Sequence, residues 1–271
     1  MGPGKLAGIF SFMNTDAEAV GTLLREWRQR RRLTQMDLAL EAEISPRHLS
    51  FVETGRAQPS REMLLHLSEE LEVPLRERNR LLVSAGFAPM YAERRLDDAA
   101  LAAARAAIDV VLAAQKPYPA FALDRHWNIA ASNSALQELY EGVAPELMRP
   151  PVNALRLSLH PRGVAPRIAN LAEWRAHLLF RLRRQVELTG DAVLEALLKE
   201  ASGYKYERIL EKEQSLSHSV LVPLKIETSL GLLSFLSTTT VFGTPVDVTL
   251  SELAIEMFFP ADAETDRRVR G

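Results

Sequence analysis

The 271-residue sequence contains no cysteine. This absence excludes disulfide bonds, thiolate zinc sites and cysteine nucleophiles, and it is typical of proteins in a reducing compartment. No apolar run approaches the roughly 18 residues that a membrane-spanning helix requires. The first residues also lack the charged and apolar segments of a secretion signal. We therefore expect a cytoplasmic protein that does not bind a membrane.

Common catalytic motifs are absent as well. The sequence contains no glycine-rich phosphate loop, no HExxH or GxSxG motif, and no metal-spaced pair among its six histidines. His126, His160 and His177 each lack a motif that would support a role as haem ligand. We therefore expect a protein that is not an enzyme and that has no catalytic residues, no metal site and no cofactor.

The overall charge offers no general attraction to nucleic acid, because the formal net charge is -2 at pH 7. DNA affinity depends on local contacts with phosphates, however, so a small cluster of arginines is sufficient. Such a cluster occurs early in the chain and consists of Arg25, Arg28, Arg30, Arg31 and Arg32. It is either a DNA-binding surface or a solvated helix face.

The first third of the chain is predicted to form five short helices. Apolar residues at helical spacing indicate a first helix that ends near residue 32. Thr34 and Ser45 are suitable N-caps for a second and a third helix, and Gly55 is a suitable left-handed cap after the third. Pro59 and Pro74 mark the starts of a fourth and a fifth helix.

The third of these helices has two distinct faces. At about 100° per residue, Leu49 and Val52 face the interior of the domain, and Arg47, Ser50 and Phe51 face outward. A short and mostly polar outward face that begins with an arginine is typical of a helix that enters the major groove of DNA.

This part of the chain resembles the lambda-repressor-like, or XRE, helix-turn-helix family through Thr34-Gln35, Leu38-Ala39, Ser45 to Glu53 and Gly55-Arg56. The resemblance implies that Gln35 contacts a phosphate or a base, that the outward face of the third helix contacts base edges, and that Arg56 contacts the backbone. His48 is either a phosphate contact or a plain surface residue. The predicted DNA-binding residues are Gln35, Ser45, Arg47, His48, Ser50, Phe51 and Arg56.

Two positions in this helix need a separate interpretation. Phe51 departs from the polar residue usual there, and an aromatic ring cannot hydrogen-bond a base edge. It packs on a thymine methyl group, or it faces solvent or a partner subunit. Glu53 is expected, by resemblance to the family, to pair with Arg28 of the first helix in a structural role.

The second half of the chain predicts an α+β domain. Phe121 and Leu123, a turn, and then Trp127, Ile129 and Ala131 indicate a β-hairpin. Residues 171–188 and 191–201 predict two helices. Alternation from residue 220 to 226 and from 232 to 242 predicts two antiparallel strands, and residues 252–260 predict a further strand. One sheet with helices packed on it describes a PAS-like sensor domain.

Several segments resemble XRE regulators that carry an MmyB-like ligand-binding domain: Ser45-Pro46-Arg47-His48-Leu49-Ser50-Phe51, Leu123-Asp124-Arg125-His126-Trp127-Asn128 and Phe258-Phe259-Pro260-Ala261-Asp262. The resemblance spans nearly the whole chain. It implies an all-α helix-turn-helix domain followed by an α+β PAS-like domain, whose pocket binds a fatty acid or a similar apolar molecule as an effector.

The pocket is expected to be formed by bulky residues of the sheet and of the helix facing it. These candidate ligand-binding residues are Phe121, Leu123, Trp127, Trp174, Leu224, Leu233 and Phe235. The alternative is that they are plain core. A fatty acid would also need a cation at its head group, for which Arg156, Arg167 and Arg175 are candidates.

The expected division of the chain follows from these segments. Residues 1–12 precede a second methionine and are taken as a disordered or added stretch, 13–91 as the helix-turn-helix domain, 92–118 as a connector helix, 119–262 as the ligand-binding domain and 263–271 as a tail.

We therefore predict a transcription regulator that binds a double-stranded DNA operator as a homodimer and responds to a small apolar ligand. The main alternative is a ligand-independent repressor whose second domain serves dimerisation or partner-protein binding. An antitoxin is a third class, but it would leave the sensor domain unexplained.

Overall fold

The computed structural model describes residues 19–206, 221–243, 245 and 247–271. The chain divides into two compact units, residues 1–92 and 93–271, and each unit is described by itself. The predictions for residues 1–12 and for the strand residues before Leu221 lie outside the described ranges. None of the helices in those ranges combines the length and the apolar composition of a membrane-spanning segment.

The described part of unit 1 contains the five predicted helices. Their bounds are α1 Val20–Arg30, α2 Gln35–Glu41, α3 Pro46–Glu53, α4 Arg61–Glu70 and α5 Leu75–Ser84. Side-chain caps explain three of the starts. Thr34, Ser45 and Ser60 each accept a hydrogen bond from a backbone N–H of the first turn, which satisfies a donor that the helix itself leaves unpaired.

Left-handed residues end these helices. Gly55 follows α3 with φ 73°, as predicted, and Arg56 N–H donates to the Phe51 carbonyl behind it. Glu43 takes the same conformation between α2 and α3, with φ 50°. A residue with a Cβ atom is strained there. The turn that joins α2 to the outward-facing helix is thus fixed by backbone geometry as well as by the Ser45 cap.

Unit 1 is built around an aliphatic core to which all five helices contribute. The side chains with no exposed surface include Leu24, Leu38, Leu49, Leu64 and Leu67. Leu49 and Val52 of α3 are buried, as their helical spacing predicts. The opposite side of α3 is consequently left toward solvent.

Unit 2 is an α+β domain with one five-stranded antiparallel sheet in the order β2-β1-β5-β4-β3. The strands are β1 Ala120–Leu123, β2 Ile129–Ser132, β3 Leu224–Thr228, β4 Gly231–Val241 and β5 Ala254–Pro260. The helices are α6 Ala102–Ala114, α7 Ala135–Glu138, α8 Ala154–Leu159, α9 Leu171–Thr189, α10 Ala192–Ser202, α11 Val248–Ser251 and α12 Ala263–Arg270. The predicted hairpin is β1-β2, and the two predicted helices are α9 and α10.

Helices pack on both faces of this sheet. Ile108 and Leu112 of α6 pack against Ala120, Ala122 and Ile255 on one face. Helices α7 to α10 pack against the other face, which carries the larger residues of the same strands. Helix α6 is therefore not a separate connector, as residues 92–118 were predicted to be. Its apolar side has a sheet to cover, and it belongs to unit 2.

The last residues are not a tail. Asp262 caps α12 by accepting a hydrogen bond from Thr265 N–H, and Thr265 in turn accepts one from Ser234 N–H of β4 at 3.0 Å. At the far end of the helix, Asp266 and Arg270 hydrogen-bond the Tyr118 hydroxyl. These polar contacts hold the helix against the sheet although its sequence is strongly charged.

Candidate DNA-binding face and ligand cavity

The outward side of α3 presents an arginine stacked on an aromatic ring. The Arg47 guanidinium lies 5.3 Å from the centroid of the Phe51 ring, one helical turn further along. Arg47 is exposed, and Phe51 is half-buried. A guanidinium over an aromatic ring is attracted by the negative electrostatic potential of the ring face. The stack therefore restricts where the Arg47 side chain points.

Three helices are tied together behind this face by one buried carboxylate. Arg28 of α1 donates to both oxygens of Glu53 at 2.7 and 2.9 Å, and Gln35 of α2 donates to Glu53 at 2.7 Å. Burial by itself raises the pKa of Glu53, but these hydrogen bonds and the arginine charges lower it more, so the pKa lies below its usual value. The predicted structural role of the Arg28–Glu53 pair is confirmed.

The network also explains where Gln35 lies. Gln35 is the first residue of α2, and its side-chain amide nitrogen donates to Glu53 at the end of α3. A DNA contact through the rest of its side-chain amide stays a prediction. Ser45 and Arg56 are exposed at the two ends of α3, and His48 and Ser50 are half-exposed. The predicted DNA-binding residues thus cluster on α3 and its two ends, with Gln35 adjoining them.

The arginine cluster of α1 is mostly engaged within unit 1. Arg28 is buried against Glu53, and Arg31 donates to the carbonyls of Leu71 and Glu72 at the end of α4. Arg30 stacks on Trp27, 5.3 Å from its centroid. The Arg28 contact was predicted from the family resemblance, whereas the internal contacts of Arg30 and Arg31 were not.

Unit 2 contains a cavity between the sheet and helices α7 to α9. The space free of protein atoms there is about 570 Å³, a volume that also counts open solvent at the mouth of the cavity. Most of its wall is apolar. The described lining residues are Phe121, Leu123, Trp127, Leu136, Leu139, Tyr140, Ala154, Leu157, Ser158, Val164, Trp174, Leu178, Leu224, Ile226, Glu256 and Phe258.

Five of the seven candidate ligand-binding residues line this cavity: Phe121, Leu123, Trp127, Trp174 and Leu224. Leu233 and Phe235 do not. They are buried in the surrounding core, where the Phe235 ring packs edge-on against Phe258 at 6.2 Å. Both residues are on β4. Their alternation in the sequence correctly predicted which face of the sheet they are on, but it could not predict which part of that face borders the cavity.

Trp127 has an unusual backbone conformation in this wall, with φ 68°. Its carbonyl accepts a hydrogen bond from Ala154 N–H, and its indole N–H donates to Gln185 at 2.8 Å. The Arg181 guanidinium lies 5.2 Å from the ring centroid. A positive φ is strained for a bulky residue, so these contacts hold the indole in place against that cost.

An ion pair borders the same cavity. Glu256 is 3% exposed and accepts hydrogen bonds from Arg181 at 2.8 and 3.1 Å. Glu256 faces the cavity because it is opposite Phe121 in the β1-β5 register. Burial, together with the charge of Arg181, lowers the pKa of the neighbouring His177. Sequence alternation on β5 could have indicated the inward position of Glu256, but its acidic character argued against it.

The three candidate head-group arginines are engaged elsewhere. Arg156 forms a double hydrogen bond with Glu200 at 2.9 and 2.7 Å, Arg167 donates to the Leu139 carbonyl, and Arg175 donates to the Ser202 carbonyl at 2.8 Å. Among the described residues, the buried Nε atom of Arg175 has no hydrogen-bond partner. None of the three is among the described lining residues.

The histidines considered as haem ligands also have partners. His126 contacts Asp191 at 3.0 Å, the His160 ring packs against Tyr204, and His177 stacks on Trp174. Over the described ranges, no group of three or more metal-ligating side chains could hold a metal ion.

Comparison with known families gives two matches. A family model described as MmyB-like transcription regulator ligand binding domain matches residues 104–271, which is more than half of the chain. A helix-turn-helix model matches residues 24–78. A search of curated proteins finds no match. The first match contains the cavity, and the second contains the Arg47–Phe51 stack.

Proposed function

Since the chain belongs to the MmyB-like transcription regulators and carries a helix-turn-helix domain, we propose that it binds a specific operator and that a small apolar ligand changes its operator affinity. The ligand is a fatty acid or an acyl derivative. The observation that carries this proposal is the apolar cavity in the ligand-binding domain.

The shape of that cavity favours a sensor over a scaffold. A domain that served only dimerisation or partner binding would gain stability by filling this space with side chains. Small-molecule sites are instead concave and mostly apolar, with a few polar groups that orient the ligand. The cavity has this composition, with two hydroxyls and one carboxylate among apolar residues.

The DNA-binding part of the proposal rests on α3. Arg47 is exposed, on the side opposite Leu49 and Val52, and an arginine there is suited to a bidentate contact with guanine in the major groove. One helix of this length contacts too few base pairs to define a unique site, so we propose a homodimer on a pseudo-palindromic operator. Its half-sites would lie about 34–36 Å apart.

Two measurements test this function in sequence. Native mass spectrometry of the purified full-length protein, followed by organic extraction, identifies any molecule that co-purifies. Fluorescence anisotropy with an operator selected from random duplexes then measures DNA affinity with and without that molecule.

We expect an acyl molecule that changes operator affinity by roughly 5- to 150-fold, the usual range of allosteric coupling. DNA affinity that does not respond to any acyl molecule would favour the ligand-independent repressor. A monomer by light scattering that protects a single half-site would contradict the dimer.

A further inference from the structure

The polar groups of the cavity wall can be counted among its described lining residues. Apart from two indole N–H groups, only Tyr140, Ser158 and Glu256 have polar side-chain atoms. The indoles are already paired, because Trp127 donates to Gln185 and Trp174 donates to Ser158. The polar end of a ligand therefore has three side chains available to it.

Glu256 is unsuited to receive an anion. Its carboxylate is bound by Arg181 through two hydrogen bonds, and Arg181 also donates to Thr239. Arg181 is itself not among the described lining residues, and these contain no lysine or arginine. A carboxylate that entered the cavity would lose its hydration and lie near a second carboxylate, with no cation among the described lining residues, which is costly in a low-dielectric site.

The two hydroxyls are suited to donate hydrogen bonds. No hydrogen bond of the described residues uses the Tyr140 hydroxyl, and Ser158 only accepts one, from Trp174. Burial raises the pKa of Tyr140, so its hydroxyl stays protonated. A hydroxyl has one proton to donate, so each of these groups can still donate to an acceptor on a ligand.

We propose that the ligand of this cavity has an uncharged polar end that accepts hydrogen bonds from Tyr140 and Ser158, such as the carbonyl of an acyl ester or amide, and that ionised fatty acids are disfavoured. The inference rests on the proposed function, since it specifies the ligand class of the same cavity.

The test compares three probes of equal chain length at neutral pH: decanoic acid, N-methyldecanamide and decylamine. Calorimetry with the full-length protein measures each affinity, and anisotropy measures the effect of each probe on operator binding. We expect the amide to bind at least about tenfold more tightly than the acid, because the amide is neutral and the acid brings a negative charge into the cavity.

Two variants separate the groups involved. Tyr140→Phe should weaken amide binding by roughly two- to tenfold, the value of one hydrogen bond. Tyr204→Phe is the matched control, because its hydroxyl bonds Glu200 outside the cavity lining, and it should not change amide affinity. Glu256→Gln leaves Arg181 without its anion, so the acid should gain affinity relative to the amide. The Tyr140 comparison stands whether or not the Glu256 variant folds.

The outcomes are distinguishable. Acid that binds as tightly as amide and alters operator affinity would overturn this inference and leave the proposed function intact. Amine that binds most tightly would place the head group at Glu256 and would also overturn it. Binding of none of the probes would contradict the proposed function and this inference with it.

Discussion

Replacing Phe51 with leucine tests how the aromatic ring of α3 contributes to DNA recognition. In the structure, the ring supports Arg47 at 5.3 Å. If this support is its role, Phe51 acts on DNA only through Arg47. If the ring instead packs on a thymine methyl group, leucine keeps much of that apolar contact, and the loss does not depend on Arg47.

The expected magnitudes follow from the contact types. A bidentate arginine–guanine contact is worth about 1–3 kcal/mol of discrimination, so Arg47→Ala should weaken operator binding by roughly 5- to 150-fold. An exposed cation–π contact is worth about 0.5–1 kcal/mol. Phe51→Leu should therefore weaken operator binding by only roughly two- to fivefold. Without the ring, the Arg47 guanidinium is no longer held in place, and its ordering adds to the cost of DNA binding.

A double-mutant cycle measures the coupling between the two residues. Operator affinity is determined by fluorescence anisotropy for the wild type, each single variant and the double variant, on operator and on scrambled DNA. We expect Phe51→Leu to have no further effect once Arg47 is alanine. Phe51→Tyr retains the ring and serves as the matched control, with affinity close to that of the wild type.

Additive losses in this cycle would refute the positioning role and would indicate that Phe51 contacts DNA by itself. Equal losses on operator and scrambled DNA for Arg47→Ala would refute the assignment of Arg47 to a base contact. An unchanged affinity for Phe51→Leu would mean that the stack does not persist on the operator.

Three further predictions concern other contacts. Arg56→Ala should weaken binding to all sequences alike and reduce its salt dependence, as titrations at several salt concentrations would show. Glu53→Ala should destabilise unit 1 by about 3–5 kcal/mol, because it leaves the charge of the buried Arg28 without its anionic partner. Since the pKa of Glu53 is lowered on folding, stability should also fall as acid protonates this carboxyl, which melts followed by circular dichroism at several pH values would detect. Phe235→Ala should mainly lower stability, by about 3–5 kcal/mol, whereas Trp127→Ala should mainly lower acyl-probe affinity in calorimetry.

The helices of unit 1 could be predicted because their signals are local. Thr34, Ser45 and Gly55 act within one helical turn of their own positions, and the structure shows each of them in its predicted cap or left-handed position. The partner of Arg31 could not be predicted in this way, because it lies at the end of α4, 40 residues away along the chain.

The topology of unit 2 was predictable only where alternation was regular. The hairpin β1-β2 and the pair β3-β4 follow from period-two patterns. Helices α6 and α12 were misassigned because their packing surfaces come from distant segments. For α6 that surface is formed by small residues, including Ala120 and Ala122, which carry little sequence signal.

The cavity shows a different limit of sequence reasoning. Apolar character identifies residues that avoid water, and both a filled core and a ligand site need them. Leu224 and Leu233 both belong to alternating apolar patterns and are buried on the same face of the sheet, yet of the two only Leu224 lines the cavity. Tyr140 and Ser158 were missed because each is a single polar residue in a short or weakly patterned helical segment.

Two features of the cavity wall are difficult to explain by stability alone. The ion pair of the buried Glu256 with the half-buried Arg181 is one of them, since such a pair is often no more stable than well-packed apolar side chains of similar volume. The positive φ of Trp127 adds a cost of about 1–3 kcal/mol, the usual range for such strain. Both costs occur at one wall, where Arg181 contacts Glu256 and the Trp127 ring together. Departures from local rules are expected at functional sites. Because Arg181 joins the strained indole to the only charged lining residue described, a ligand that displaced either side chain would alter the position of the other.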